Sequence, residues 1–289
     1  MNTRRVALGD RDYKILFFLW KWKISTTRVI AIRFYKDSTV LAAYKRLRRL
    51  FKGGFVELIT SRDGTHHFWI LDSLGFEVIK RNLPDLREEG YKSENLKHDF
   101  FASTIQLGDW LVAEPSGVAL FSEQQLRRYD PKSYPTGINR LEIHRPDGYW
   151  ILGNGQEQRL IALELELSQK MLMNYSNVAT FYLRDAKCDR VIWVTKSSGM
   201  ANSIQRKILE TIPQNKNIHS FTLLNDFIQL GWQAKVLIGK DQGKSVSELL
   251  GQKPVESRSS LTTLIHFDTR KIPMNSASNN NIETLKHLN

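Results

Sequence analysis

The N-terminal part of the chain alternates apolar runs with capping signals in a helical rhythm. Residues 11–22 (RDYKILFFLWKW) are nearly apolar throughout and suit a short helix capped by Asp10. Ser25-Thr26-Thr27 offers the cap of a second helix reaching Ile32 or Tyr35, and Asp37-Ser38-Thr39 the cap of a third. In that third helix Val40, Tyr44, Leu47 and Phe51 recur at i, i+4, i+7 and i+11 and predict one buried stripe, with Gly53-Gly54 as the stop. Two strand-like runs follow, Phe55–Thr60 and His66–Leu71, around an Asp63-Gly64 hairpin signal. Asp72–Lys80 reads as a closing helix, and residues 81–96, polar with Pro84 and Gly90, read as a linker.

From Lys97 the pattern changes. Residues 97–112 predict a longer helix, with Phe100, Ile105, Leu107 and Trp110 among its apolar members. Strand character follows at Gly117–Phe121, at Arg140–His144 and Gly148–Leu152 with a break at Arg145-Pro146-Asp147, and most strongly at Arg159–Leu167. Ser122–Tyr129 suits a short helix and Gly153–Gln158 a turn. Gln169–Arg184 predicts a helix, Arg190–Thr195 a strand, Ser198–Ile212 a helix and His219–Leu223 a strand. The order is helix, three strands, helix, strand, helix, strand, which makes residues 97–240 an α/β domain and the whole chain α+β. In residues 241–289 Ser, Gln, Asn, Lys and Thr dominate, which predicts a partly disordered tail with Leu261–Phe267 as an isolated strand. Lys240–Ser245 ends in Gly-Lys-Ser, but its glycine spacing is wrong for a P-loop.

Charge gives these elements a partner. Residues 1–56 hold 14 Lys and Arg against 3 Asp and Glu, so nearly all of the net +12 lies there. Such an excess is the electrostatic footprint of a polyanion, nucleic acid first and an anionic membrane surface second. Three short helices and a hairpin form the order of a winged helix over residues 8–80, whose third helix enters a major groove of double-stranded DNA. Lys45, Arg46, Arg48, Arg49 and Lys52 supply the basic face that such a helix needs, and Arg62 and His66 fall at or near the wing. An apolar fraction of 41% is enough for real cores, and the single cysteine excludes an internal disulfide framework and any Cys-rich zinc site. No run is long enough to span a membrane and the first residues lack a signal-peptide stretch, so the expectation is a soluble cytoplasmic protein without membrane insertion.

The candidate chemistry lies in residues 144–170. Strand alternation over Leu160–Leu167 puts Ala162, Glu164 and Glu166 on one face and Leu163, Leu165 and Leu167 on the other. Asp147 stands at a bend beside them. Carboxylates gathered at a sheet end repel one another unless a cation compensates, and hard oxygen ligands suit Mg²⁺ or Mn²⁺. Lys170 could bring a positive charge to a developing negative one. Alternating Leu-Glu also suits an exposed edge strand, and Pro-Asp-Gly a plain turn. His98-Asp99 could join the acidic group from its helix or simply sit at the surface. Tyr175 and Tyr182, seven apart on one helix face, could approach the site as nucleophiles, although packing or phosphate binding is the more ordinary role.

Pro146-Asp147 followed, 17 positions after the aspartate, by Glu164-x-Glu166 on an apolar strand and then a helix resembles the PD-(D/E)XK nuclease superfamily. The resemblance implies a restriction-endonuclease-like core over residues 97–240, with Asp147 and Glu164 as ligands of a divalent metal. Glu166 stands where that pattern has its lysine. It is either a further ligand or proton acceptor with Lys170 supplying the cation, or a mark of a degenerate site. A basic winged helix fused to such a domain, with Lys97-His98-Asp99 opening it, resembles the replication-relaxation family, which includes plasmid mobilisation relaxases of the MobC type. The implied function is a metal-dependent DNA endonuclease or nickase acting at a transfer or replication origin, with a homodimer and accessory mobilisation proteins as further partners. Two alternatives belong to other classes: a non-enzymatic DNA-binding replication or transcription regulator with a degenerate nuclease domain, and a transcription factor with an unrelated sensor domain.

Overall fold

A computed structural model describes residues 6–36, 38–61, 66–83, 95–108, 117–138, 144–153, 157–184 and 187–252. The first helix, α1 (Asp10–Trp22), opens at Gly9 rather than at Asp10. The Asp12 carboxylate reaches back to accept from the Gly9 N–H at 2.8 Å, so the acid works from inside the first turn. α2 (Thr27–Phe34) and α3 (Val40–Lys52) start where the sequence places them. Thr26 and Thr39 accept from the amides of Val29 and Ala42.

The buried stripe of α3 is not the predicted one. Ala43, Leu47 and Leu50 are buried, while Val40 and Phe51 are exposed. The helix is rotated so that the small Ala43 faces inward and Arg46 reaches Asp12 of α1, its Nε at 2.8 Å and its Nη2 at 2.5 Å. This two-point pair is a better lock on rotation than another apolar contact. β2 (Val56–Thr60) and β3 (His67–Leu71) form the expected antiparallel hairpin; its turn, with Arg62, lies outside the described residues. β1 (Ile24–Ser25) pairs on the other side of β3, giving the order β1-β3-β2. At two residues it carries no periodic signal. α4 (Ser73–Asn82), capped by Asp72, closes this part.

The second part is a six-stranded mixed sheet. Its elements are α5 (Leu96–Leu107), β4 (Val118–Ser122), α6 (Glu123–Arg128), β5 (Gly148–Leu152), β6 (Arg159–Glu166), α7 (Leu172–Arg184), β7 (Cys188–Thr195), α8 (Ser198–Thr211), β8 (His219–Leu223), α9 (Leu224–Leu230), β9 (Ile238–Gly239) and α10 (Val246–Leu249). The strand order is β4-β5-β6-β7-β8-β9. β4, β5 and β6 are mutually antiparallel, β6, β7 and β8 are parallel, and β9 is antiparallel. The chain is therefore mixed α/β. Predicted helix 97–112 stops at Leu107, where Gly108 turns with φ of +43°, and Trp110 lies outside the described residues. Residues 140–143 of a predicted strand also lie outside them, and His144 is not in a strand. Predicted helix 169–184 begins only at Leu172.

Residues 241–252 form an ordered stretch of the expected, partly disordered tail. Val246, Leu249 and Leu250 are buried, Ser245 and Glu248 form a reciprocal cap on α10, and Asp241 binds Arg190 and Lys244. Their polar side chains serve a hydrogen-bonded turn rather than a solvated chain, which composition alone does not distinguish. Residues 253–289, with Leu261–Phe267, lie outside the described residues.

The two parts share apolar packing across residues 81–96, of which 84–94 are not described. Phe18, Trp22, Ile24, Phe68 and Ile70 cluster with Phe100, Phe101 and Ile105 of α5, and the Phe68 and Phe100 rings lie 5.3 Å apart. Polar bolts cross beside them. Lys21 Nζ donates to Leu120 O at 2.8 Å, and Ser122 Oγ donates to Lys21 O at 2.6 Å. Lys23, buried, pairs with Asp99 at 3.2 Å and with Glu123. It does so from φ of 64°, a slot at the end of α1 that favours glycine. Among the described residues no helix is long and apolar enough to cross a membrane.

The Asp12–Arg46 pair separates structural from free cations on α3. Arg46→Ala leaves a buried carboxylate unpaired and should lower unfolding stability by about 2 kcal/mol. Lys45→Ala and Arg49→Ala, on exposed side chains, should each change it by less than about 0.5 kcal/mol. Urea melts of the three variants check this, and equal effects would refute it.

Candidate active site

β6 lies inside the sheet and is buried on both faces, so the exposed-edge reading of its Leu-Glu alternation does not hold. Leu163 and Leu165 enter the cluster with α5, while Leu160 and Ala162 enter the cluster with α7 and α8. Glu164 and Glu166 continue that second face. They are only 5% and 3% exposed. Two carboxylates at this depth need partners, and each has them.

Glu164 Oε1 accepts from the Tyr182 hydroxyl at 2.6 Å and lies 2.6 Å from His144 Nε2. Glu166 Oε1 is 2.6 Å from Lys170 Nζ, whose side chain remains 55% exposed. Asp147 approaches from β5. This strand starts at Gly148 opposite Leu163, so the N–H and C=O of Leu165 face past its end. The Asp147 carboxylate accepts from Leu165 N at 2.7 Å, and His98 Nε2 lies 3.2 Å from Leu165 O. His98 Nε2 is also 3.7 Å from Asp147 Oδ1. Side chains thus replace the missing rung of the ladder, and the replacement sets Asp147 beside the peptide between the two glutamates. Pro-Asp-Gly is more than a turn here. A Cβ on Gly148 would lie 2.3 Å from the Gln106 side chain, which donates to the carbonyls of Phe121 and Tyr149 and ties β4 and β5 to α5.

The charges respond to this crowding. Burial pushes the Asp147 carboxyl up to about 7; the neighbouring His98 opposes the rise, and the negative charges of Glu164 and Glu123 add to it. Burial works against the His98 imidazolium, as does its place in the first turn of α5. Asp99 and Asp147 nevertheless raise it to about 9. Burial also opposes charge on His144 and Lys170, but Glu164 raises the first and Glu166 the second. Burial raises Glu166 despite Lys170.

The structure therefore gathers Asp147, Glu164, Glu166 and Lys170 at one end of β6, and His98 joins them rather than lying at the surface. Asp99 belongs to this neighbourhood too, as do His144, Glu123 and Lys23, which were not assigned to it from sequence. The only sequence sign for His144 was its place three residues before Asp147. Tyr175 and Tyr182 are buried, with hydroxyls occupied by the Lys170 amide and Glu164 and their pKa values raised by that burial. That placement fits packing and positioning rather than nucleophilic attack. Among the described residues, no group of three or more His, Cys, Asp and Glu is set to hold a metal ion.

On the predicted DNA face, Lys45, Arg49 and Lys52 are exposed, Arg48 lies over the Phe51 ring at 5.2 Å, and Arg46 is held by Asp12. His66 packs beside Phe68, and its amide donates to Ser61 Oγ at 3.0 Å.

Asp147 and His98 give folding a defined pH dependence. The Asp147 carboxyl rises from 3.8 to about 7 on folding, so its contribution is complete below about pH 3.8 and is lost as pH climbs through 7. His98 rises from 6.5 to about 9, so its contribution is complete below about pH 6.5 and is lost as pH climbs through 9. In EDTA-containing buffer, Asp147→Asn should flatten the stability profile between about pH 4 and 7 and gain about 1 kcal/mol at pH 8. Urea melts across that range check it; an unchanged slope would refute it. Family models, curated proteins and solved structures give no match to this chain, so its functional reading rests on this geometry.

Proposed function

We propose that the chain is a DNA-processing enzyme: a winged helix over residues 8–80 binds duplex DNA, and a PD-(D/E)XK-like domain over residues 97–240 cleaves or nicks it. The observation that carries this reading is the hydrogen bond of Asp147 to the Leu165 amide. It sets the aspartate against the backbone amide between Glu164 and Glu166 near the end of one strand, where Glu164 acts on its charge. The chain's resemblance to the replication-relaxation family and its MobC-type relaxases makes mobilisation or replication of a mobile element the setting.

The donor chemistry fits a hard divalent cation. Burial, with Glu164 and Glu123 adding to it and His98 opposing it, pushes Asp147 to about 7, and a cation at this carboxylate would offset the crowding of negative charge. Asp147 and Glu164 would hold Mg²⁺ or Mn²⁺, with Glu166 as a further candidate. When bound, the ion would polarise the scissile phosphate and acidify an attacking water. The chain's own residues do the rest. His144 and Tyr182 orient Glu164. Glu166 positions the Lys170 ammonium, which supports the reading in which Lys170 supplies the cation absent from position 166. Lys170 offsets charge developing on the phosphate, and His98 offsets the charge of Asp147 before substrate arrives.

Two observations favour a second reading, a non-enzymatic DNA-binding regulator. The same Glu164 oxygen is held by both His144 and Tyr182, and among the described residues no metal-holding group of three or more is assembled.

Cleavage of supercoiled plasmid carrying the cognate origin decides between the two. The enzyme should nick it with Mg²⁺ or Mn²⁺ and not with EDTA, and Glu164→Ala and Asp147→Ala should each lose about 100-fold or more of the activity. Absence of cleavage with binding retained would establish the regulator. For the winged helix, Lys45→Ala, Arg49→Ala and Lys52→Ala should each weaken duplex binding and lower the salt slope by about 1. Titrations by fluorescence anisotropy at several salt concentrations read this, and a salt-insensitive affinity would count against α3 as the DNA reader.

A further inference from the structure

A second basic surface lies away from the exposed face of α3. It is a cleft of about 810 Å³ between α1 and α2, with Leu107 of α5 also in its lining. Five cationic side chains line it: Arg11, Lys14, Lys21, Arg33 and Lys36, against the one acid Asp10. Its apolar wall is aromatic. Phe17, 37% exposed, and the half-buried Phe34 present ring surface to it, backed by the buried Phe18 and Trp22. The Phe18 and Phe34 rings pack edge to face at 5.4 Å, which makes the wall rigid.

Lys21 sits deepest among these cations. Burial, joined by repulsion from Arg33, holds the Lys21 ammonium down to about 8 although it donates to Leu120 O. An anion in the cleft would relieve this. Lys21 and Trp22 also form one wall of a narrow crevice that contains Asp99, Glu123 and Asp147. The basic cleft and the acidic site are therefore neighbours across two residues of α1.

We infer that this cleft binds a single strand of nucleic acid, with phosphates on its cations and bases against its aromatic wall. Cations alone would suit any polyanion. Aromatic faces beside a cationic track are the recognition chemistry of unpaired bases, since each base offers a ring face and duplex stacking hides it. A duplex is also the wrong shape for a cleft between two helices. The site goes beyond duplex binding on α3, and its place next to Asp147 suits a strand separated from its complement near the acidic group.

The test uses the full chain in EDTA, so an inactive nuclease leaves it decisive. Fluorescence anisotropy compares a labelled oligothymidylate, an abasic strand of equal length and a duplex. Lys14, Phe17 and Lys36 are exposed, and their variants should keep the native melting temperature. The Lys14→Glu, Lys36→Glu double variant should bind the oligothymidylate about tenfold more weakly, with less than about a threefold change for the duplex. Phe17→Ala should cost about fivefold on the oligothymidylate and nothing on the abasic strand. Equal losses on duplex and single strand, or a neutral Phe17→Ala, would overturn the inference. So would binding of phosphatidylserine vesicles through these residues without binding of the oligonucleotide.

Discussion

The peptide of Leu165 is the point at which the demands of the fold and of the acidic site meet. β6 is an interior strand, so its backbone groups must be paired on both sides, yet β5 starts too late to reach Leu165. An unpaired amide and carbonyl at this depth would each cost about 1–3 kcal/mol. Asp147 and His98 fill that need. In doing so they fix a carboxylate and an imidazole beside a strand whose flanking residues are Glu164 and Glu166. The acidic group is a consequence of how the sheet ends, and moving Asp147 would damage the ladder as well as the chemistry.

Gathering so much negative charge requires matching positive charge, and its sources extend through the molecule. His98 answers Asp147, Lys170 answers Glu166, and His144 with the Tyr182 hydroxyl answers Glu164. Lys23 answers Asp99 and Glu123 from the other part of the chain. The φ of 64° at Lys23 shows what this is worth. Glycine would fit that backbone better by about 1 kcal/mol, but glycine has no ammonium group. The junction between the N-terminal helices and the sheet is thus partly electrostatic, set into an apolar contact between Phe68 and Phe100. A change in charge at the acidic site is felt at that junction through Glu123, which also raises Asp147.

Much of this was legible in the sequence where a local rule and the tertiary context agree. Thr26 and Thr39 cap the helices that they should, and Ala162, Glu164 and Glu166 share the face that strand alternation gives them. Asp147 bonds to the Leu165 amide between Glu164 and Glu166, and Lys170 bonds to Glu166, although among the described residues no metal-holding group is assembled. What was not legible depends on partners distant in the chain. The stripe of α3 turned away from Val40 and Phe51 because Arg46 reaches Asp12, a pairing that periodicity cannot contain. Residues 241–252 look like polar tail until the Ser245–Glu248 cap and the Asp241–Arg190 bond are seen. His144 is bound to Glu164 across 20 positions, and no motif spacing pointed to it.

The basic excess of residues 1–56 was legible as a quantity and not as a distribution. Read from sequence, it belongs to α3 and a duplex. In the folded chain it has at least three destinations. Lys45, Arg49 and Lys52 stay exposed on α3; Arg46 and Lys23 are held by carboxylates; and Arg11, Lys14, Lys21, Arg33 and Lys36 line the cleft between α1 and α2. The first and third groups face different shapes. A convex helix face suits a groove, whereas a cleft with an aromatic wall suits an unpaired strand. α1 connects the two ends of this arrangement. Its basic side lines the cleft, while Lys21 and Trp22 reach the crevice that contains Asp147. Duplex binding on α3 does not call on this second basic surface, whereas a strand held in the cleft lies beside the crevice that contains Asp147.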